Sequence, residues 1–204
     1  MHLSRRTGTD WHDGGGTAPS AHDLATTWQL LTRVVLVEHP SMFDDLLQAN
    51  RRYRTEFHDS GVEGTAARGL AVLTCIDSRI DPLAMLGLRA GDAKIIRNAG
   101  ARVTDDSLRS LVLATNLLGV TRVCVVQHTD CAMVGTTDDE IRERIAAMRG
   151  VDATDWDFLA STDQLATLHQ DIARIESCAL MPPGLQVAGF VFDVHSGELV
   201  PVSS

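Results

Sequence analysis

The chain has 204 residues, is 44% hydrophobic and 22% charged, and carries a formal net charge of -9 at pH 7, with a pI near 5.2. That length supports one domain with a real core, and the acidic balance excludes a surface built for nucleic-acid phosphates, which needs clustered Lys and Arg. The longest apolar runs, "LAVLTCI" at 70–76 and "VCVVQ" at 123–127, fall far short of the ~20 residues of a membrane-spanning helix, so no membrane partner is expected.

Residues 1–23 are rich in Gly, Thr, Ser, Asp and His without apolar periodicity and read as a flexible tail. Arg5 and Arg6 precede no apolar run of the secretory kind, so a cytoplasmic protein is expected. "GGG" at 14–16 lacks the strand, Lys and Thr/Ser context of a phosphate loop. Residues 23–40 are apolar enough for a helix or a strand that Pro40 ends. In "SMFDDLLQANRRYRTEF", Ser41 reads as a cap with Asp44 three residues on, and Phe43, Leu46, Leu47 and Tyr53 mark an amphipathic helix with "RRYR" at 51–54 on a solvated face.

From residue 70 the pattern alternates. "LAVLTC" (70–75) is a short apolar strand; Asp81 and Pro82 open a short helix; "AKIIRN" (93–98) is a second strand. Thr104 caps a helix with Leu108, Leu111, Thr115 and Leu118 on one face and Gly119 as terminator, and "TRVCVVQH" (121–128) is a third strand. Capping boxes are expected at Thr137 with Glu140 and at Ser161 with Gln164, each opening a helix. A fourth strand, "LQVAGFVFDV", is followed by a turn at Gly197 and the terminal "ELVPV". Strands of continuous apolar composition separated by helices predict an α/β fold: a three-layer αβα arrangement with a mostly parallel, about four-stranded sheet, a C-terminal strand, and helices on both faces.

In such sheets ligands collect beyond the carboxyl ends of the strands. Three strands here end in "CIDSR", "RNAG" and "HTDC". Cys75, His128 and Cys131 at neighbouring strand ends make a candidate zinc site with three protein ligands and a fourth position left open. Four cysteines, at 75, 124, 131 and 178, are too few and too spread for a disulfide framework, although a Cys75–Cys131 disulfide is the structural alternative. Asp77 has two open roles: a fourth zinc ligand that closes the site, or the bidentate partner of Arg79 beside the metal. Asn98 and Gly100 shape the neighbouring loop, or simply form a tight turn. Cys124 and Cys178 read as packing residues, and His58, His169 and His195 as surface or structural histidines, one of which can assist proton transfer.

Together "CIDSR", "RNAG", "VTDDSLRSL" and "HTDC", in this order and spacing, resemble the beta-class carbonic anhydrases, in particular a compact actinobacterial-type branch. The resemblance runs from about residue 42 to the last strand, so residues 42–204 form the implied catalytic domain and 1–41 an extension, with Met42 an alternative start. It implies one zinc ion per chain on Cys75, His128 and Cys131, and Asp77 with Arg79 as the catalytic dyad. It also implies reversible hydration of carbon dioxide to bicarbonate by a zinc-bound hydroxide. Relatives that hydrolyse carbonyl sulfide or carbon disulfide offer an alternative on the same site, and a zinc or redox sensor is a reading of another class, disfavoured by the Asp77–Arg79 pair. A homodimer or higher homo-oligomer is implied as well. One departure is Ala132, where the family usually has Gly; its methyl could crowd the backbone beside the metal, and the sequence does not set its effect on the shape of the site.

Overall fold

The structure, a computed structural model, describes residues 41–58 and 61–203. The readings made for residues 1–40 lie outside the described residues. No described helix is long and apolar enough to cross a membrane. The chain divides into two compact units, Met1–His58 and Asp59–Ser204.

In the first unit a 3-10 turn over Ser41–Phe43 leads into helix α1, Asp44–Glu56. Phe43 occupies the cap position and makes no side-chain cap bond, which corrects the cap expected at Ser41: the extra turn moves the helix start beyond it. Asp44 and Asp45 in the first turn complement the positive end of the helix dipole. No residue of α1 is buried, and Leu46, Leu47 and Tyr53 are exposed. Tyr53 and Phe57, one turn apart, bring their rings to 5.6 Å. Arg51, Arg52 and Arg54 are exposed, as a solvated face requires.

The second unit is built on a five-stranded sheet: β1 (Leu70–Cys75), β2 (Ala93–Asn98), β3 (Arg122–His128), β4 (Gln186–Phe192) and β5 (Leu199–Val202). The spatial order is β2-β1-β3-β4-β5. The first four strands are parallel, and β5 returns antiparallel to β4. The helices are α2 (Pro82–Met85), α3 (Asp105–Leu117), α4 (Asp138–Arg149) and α5 (Gln164–Glu176). This is the α/β class read from the alternating pattern. β1 and β3 are the inner pair on which the site depends, and β1 is buried at every position because both sheet faces are covered.

Along β1 and β3, successive side chains go to opposite faces. Ala71, Leu73, Val123 and Val125 join Leu111 and Ala114 of α3 and Leu168, Ile172 and Ile175 of α5 in one core cluster. The spacing of 168, 172 and 175 is one helical stripe. Leu70, Val72 and Val126 face a second cluster with Ile80, Leu88, Ala101 and Phe192. Gly189 on β4 is required by the close approach of α5, since a Cβ there would lie 2.7 Å from Ile172 Cδ1. Burying Leu73, Leu111 and Leu168 completely contributes about 2–3 kcal/mol each relative to exposure.

In this unit three helix starts follow the sequence, Thr104 among them, whose side chain accepts from the Ser107 N–H, and one departs. Asp81 accepts from the backbone N–H groups of Leu83 and Ala84, with Pro82 at the first helical position. Thr137 and Glu140 form the expected capping box. At α5, however, Asp163 is the cap and accepts from the Ala166 N–H, while the Gln164 side chain turns away to the end of β3. The expected Ser161–Gln164 box is therefore absent: the helix begins two residues later and releases Gln164 for another task.

Candidate metal centre

β1 ends at Cys75 and β3 at His128, and these strands are hydrogen-bonded neighbours. Their parallel register places both termini at the same edge of the sheet. Cys131 follows His128 in a turn closed by the bond from the Val134 N–H to the Cys131 carbonyl, 3.0 Å. The result is a buried trio of Cys75, His128 and Cys131, with one possible ligand atom from each within 4.8 Å of the others.

His128 is oriented by its own backbone neighbourhood. Its Nδ1 lies 2.8 Å from the Thr129 carbonyl, so Nδ1–H donates there and Nε2 carries the lone pair. Nε2 is fully buried with no hydrogen-bond partner; Gln127 Oε1 is the other such side-chain atom among the described residues. Leaving a buried polar atom unpaired is costly, and an atom aimed at two sulfurs fits a metal better than it fits any group of the chain. Gln164 Nε2 donates to the His128 carbonyl at 2.8 Å and fixes the strand end.

All four cysteines are free thiols. The Cys75 thiol is pulled down to about 4 by the hydrogen bond from Cys131, with burial opposing. The same contact, with burial, pushes the Cys131 thiol up. The Gly100 N–H also points at Cys75 Sγ, 3.4 Å away. Gly100 has φ +74, and a Cβ there would lie 3.2 Å from Met133 Cβ, so glycine is needed for this approach. Asn98 holds the loop in place: its Oδ1 accepts from the Arg102 N–H at 2.8 Å and its Nδ2 donates to the Arg102 carbonyl at 2.7 Å. Asn98 and Gly100 thus lie against the trio, Gly100 through its backbone and Asn98 through the loop it closes.

Asp77 and Arg79 form a bidentate pair, Nε to Oδ1 at 2.9 Å and Nη2 to Oδ2 at 2.7 Å, and the Arg79 N–H adds a third bond to Oδ1 at 2.9 Å. Arg79's side-chain bonds hold the Asp77 carboxyl well below the usual carboxylate range. Asp77 Oδ2 is 3.8 Å from His128 Nε2, beside the trio and turned toward Arg79. Arg97 of β2 braces this segment, donating from Nε to the Cys75 carbonyl at 2.9 Å and from Nη2 to the Asp77 carbonyl at 2.7 Å.

Three participants escaped the sequence reading. Arg97 was read within "AKIIRN" and "RNAG" without a role, Gln164 was assigned to a capping box, and Asp130 lay unassigned between the two candidate ligands of "HTDC". Asp130 Oδ2 accepts from Arg79 Nη1 at 2.7 Å, and its carbonyl accepts from Nη2 at 2.9 Å. These three were not separable from sequence, because a side chain's reach across strands is not a sequence property.

Ala132 does not crowd the centre. It is exposed, and its φ is not among the positive values of the non-glycine residues Ala101, Asp130 and Leu159. The strained position of the turn is Asp130, at φ +54. Cys124 and Cys178 are partly buried and outside the trio, and His58, His169 and His195 are exposed. A cleft of about 420 Å³ lined by Arg102, Asp138, Ser161 and Gln170 contains none of the trio. Among the described residues the trio is the group of His, Cys and carboxylate side chains that could hold a metal ion.

A parallel α/β sheet carrying a Cys-His-Cys group at its carboxyl edge beside an Asp-Arg pair has the donor set of a metal-dependent enzyme. Residues 70–154 match the family described as carbonic anhydrase. Beta-carbonic anhydrase 1 of Mycobacterium tuberculosis is 36% identical over 160 residues, covering 78% of this chain and 97% of its own. A carbon disulfide hydrolase of Saccharolobus solfataricus is 33% identical over 157 residues, covering 65% of this chain and 76% of its own. The crystal structure of carbonic anhydrase from Streptococcus mutans superposes with a TM-score of 0.75 at 37% identity, covering 81% of this chain and 99% of that one. The chain belongs to the beta-carbonic anhydrase family.

Proposed function

We propose that this carbonic anhydrase binds one zinc ion through Cys75, His128 and Cys131 and hydrates carbon dioxide reversibly to bicarbonate beside the Asp77–Arg79 pair. The observation that carries the ligand set is the buried, partnerless His128 Nε2 facing two thiols. When bound, zinc acidifies water so that a nucleophile is present near neutral pH.

The chain's residues do the rest. Cys75, with its depressed pKa and the Gly100 N–H beside it, would supply one thiolate to the metal, and Cys131 would supply the second on giving its proton to solvent. Asp77 Oδ2 accepts a hydrogen bond from the attacking water and orients its lone pair toward the carbon of carbon dioxide. Arg79 keeps that carboxylate ionised and holds both of its oxygens, which supports the open reading, in which Asp77 would not be a metal ligand, over the closed one. The reaction consumes one water and releases one proton with each bicarbonate, and Asp77 is the first group on the proton's way out.

The catalytic domain in this reading spans residues 42–204, with 1–41 as an extension. A homodimer or higher homo-oligomer fits the exposure of Leu46, Leu47 and Tyr53 on α1, a helix with no buried residue of its own. A reducing, cytoplasmic setting suits two cysteines that must remain thiolates.

The deciding experiment combines zinc stoichiometry with stopped-flow carbon dioxide hydration across pH on the wild type and Asp77→Asn. We expect one zinc per chain in both, and a loss of roughly a hundredfold or more in kcat/KM for the variant. Wild-type turnover in zinc-replete Asp77→Asn removes the role given to Asp77; one zinc per chain with no hydration at any pH removes the enzyme reading. The similarity to a carbon disulfide hydrolase supports a second reading, attack on carbon disulfide or carbonyl sulfide at the same centre. Sulfide release under the same conditions separates the two.

A further inference from the structure

Arg79 has two anionic neighbours, and they reach it from different strands. Asp77, in the segment after β1, takes Nε and Nη2. Asp130, in the turn after β3 and 51 residues along the chain, takes Nη1 through its carboxylate and Nη2 through its backbone carbonyl. Arg79 therefore ties together the two strand-end segments that carry Cys75 on one side and His128 with Cys131 on the other.

The Asp130 backbone is left-handed at φ +54, a region that non-glycine residues enter at a cost and that Asp and Asn tolerate best. Its side chain is 65% exposed, and Arg79 is the hydrogen-bond partner of its carboxylate among the described residues. Without the Asp130 carboxylate, Arg79 is a long, 40% exposed side chain whose one anionic partner is Asp77, with the residue 130 carbonyl its remaining tie to the turn after β3.

We propose that Asp130 is a positioning residue for the hydration reaction: by holding Arg79 from the side opposite Asp77, it fixes the Asp77 carboxylate beside the metal centre and keeps it from closing over the fourth metal position. This rests on the reading that Asp77 acts next to a metal held by Cys75, His128 and Cys131.

The test uses the zinc-loaded full chain with Asp130→Gly and Asp130→Asn. Glycine suits φ +54 and keeps the backbone carbonyl on Arg79, so it removes the carboxylate without straining the turn. We expect Asp130→Gly to melt at or above the wild-type temperature, to keep KM within about twofold, and to lose about fivefold in kcat, the upper range for a partly exposed ion pair. Asp130→Asn, which retains an acceptor for Nη1, recovers part of the loss. In Co2+-substituted protein, azide should perturb the visible spectrum of Asp130→Gly only at severalfold higher concentration than in the wild type, because Asp77 competes for the open position. Wild-type kcat and azide response in Asp130→Gly overturn the proposal. So does a loss of kcat that tracks a lower melting temperature in both variants, which marks a merely structural role. Asp77→Asn separates the two levels: if it turns over like wild type, the underlying reading fails too, whereas a defective Asp77→Asn beside a normal Asp130→Gly removes only the inference about Asp130.

Discussion

Two polar constellations are buried against the same sheet, and they differ in how their atoms are satisfied. Arg102 donates from Nε to Asp171 at 2.7 Å and from Nη1 to the Leu159 carbonyl at 2.7 Å, and neither side chain leaves a buried atom without a partner. At Cys75, His128 and Cys131 the chain instead gathers two sulfurs around an Nε2 lone pair that has no hydrogen-bond partner. The first arrangement is complete as folded and serves to join the segment after β2 to α5. The second is incomplete until something binds, which is how a functional site differs from a structural one when both are buried.

That contrast can be broken most decisively at the ligands. Cys131→Ser is expected to abolish stoichiometric zinc, measured by elemental analysis, and to reduce hydration to the uncatalysed rate. Chelating zinc from the wild type is expected to lower its melting temperature, since a ligand present at about a thousandfold over its Kd contributes ~4 kcal/mol; an unchanged melting curve after complete zinc removal would contradict metal satisfaction of His128.

The satisfied network predicts the opposite pattern. Arg102→Ala leaves Asp171, whose side chain is only 4% exposed, without its ion-pair partner. Breaking such a pair costs about 3–5 kcal/mol, or a fall of roughly 6–20 °C in Tm for a domain of this size. Zinc stoichiometry is expected to stay at one per chain in whatever fraction folds. Loss of zinc from folded Arg102→Ala would show that the two constellations are coupled.

Asp138 gives a smaller, pH-dependent test. Burial opposes its ionisation, but backbone N–H bonds from Ala160 and Phe158, both 2.8 Å, outweigh it and lower its pKa. A depressed carboxyl pKa stabilises the fold above the unfolded-state pKa, near 4, and that contribution is lost as pH falls through the folded value. Denaturant unfolding should therefore show Asp138→Asn less stable than wild type by about 1 kcal/mol at pH 7, with the gap closing below pH ~4. A gap that widens in acid would reverse the assignment. The smallest effect is expected for Ala132→Gly: at an exposed position with ordinary backbone, stability should change by less than about 0.5 kcal/mol and zinc retention not at all.

The sequence by itself determined the sheet and the principal chemistry. Continuous apolar runs such as "LAVLTC" identify strands buried on both faces, and turn residues between them set the alternation with helices. Cys75, Asp77, Arg79, His128 and Cys131 were legible because each lies at a strand end or immediately after it, where local pattern and position in an α/β sheet coincide. Only the tertiary structure decided what surrounds them. Arg97 reaches two backbone carbonyls after β1, Gln164 comes from a helix 36 residues beyond His128, and Asp130 meets Arg79 across the gap between strands. Strand pairing and helix packing bring these groups together over long stretches of chain, and periodicity records which face a residue takes but not which distant residue it meets there.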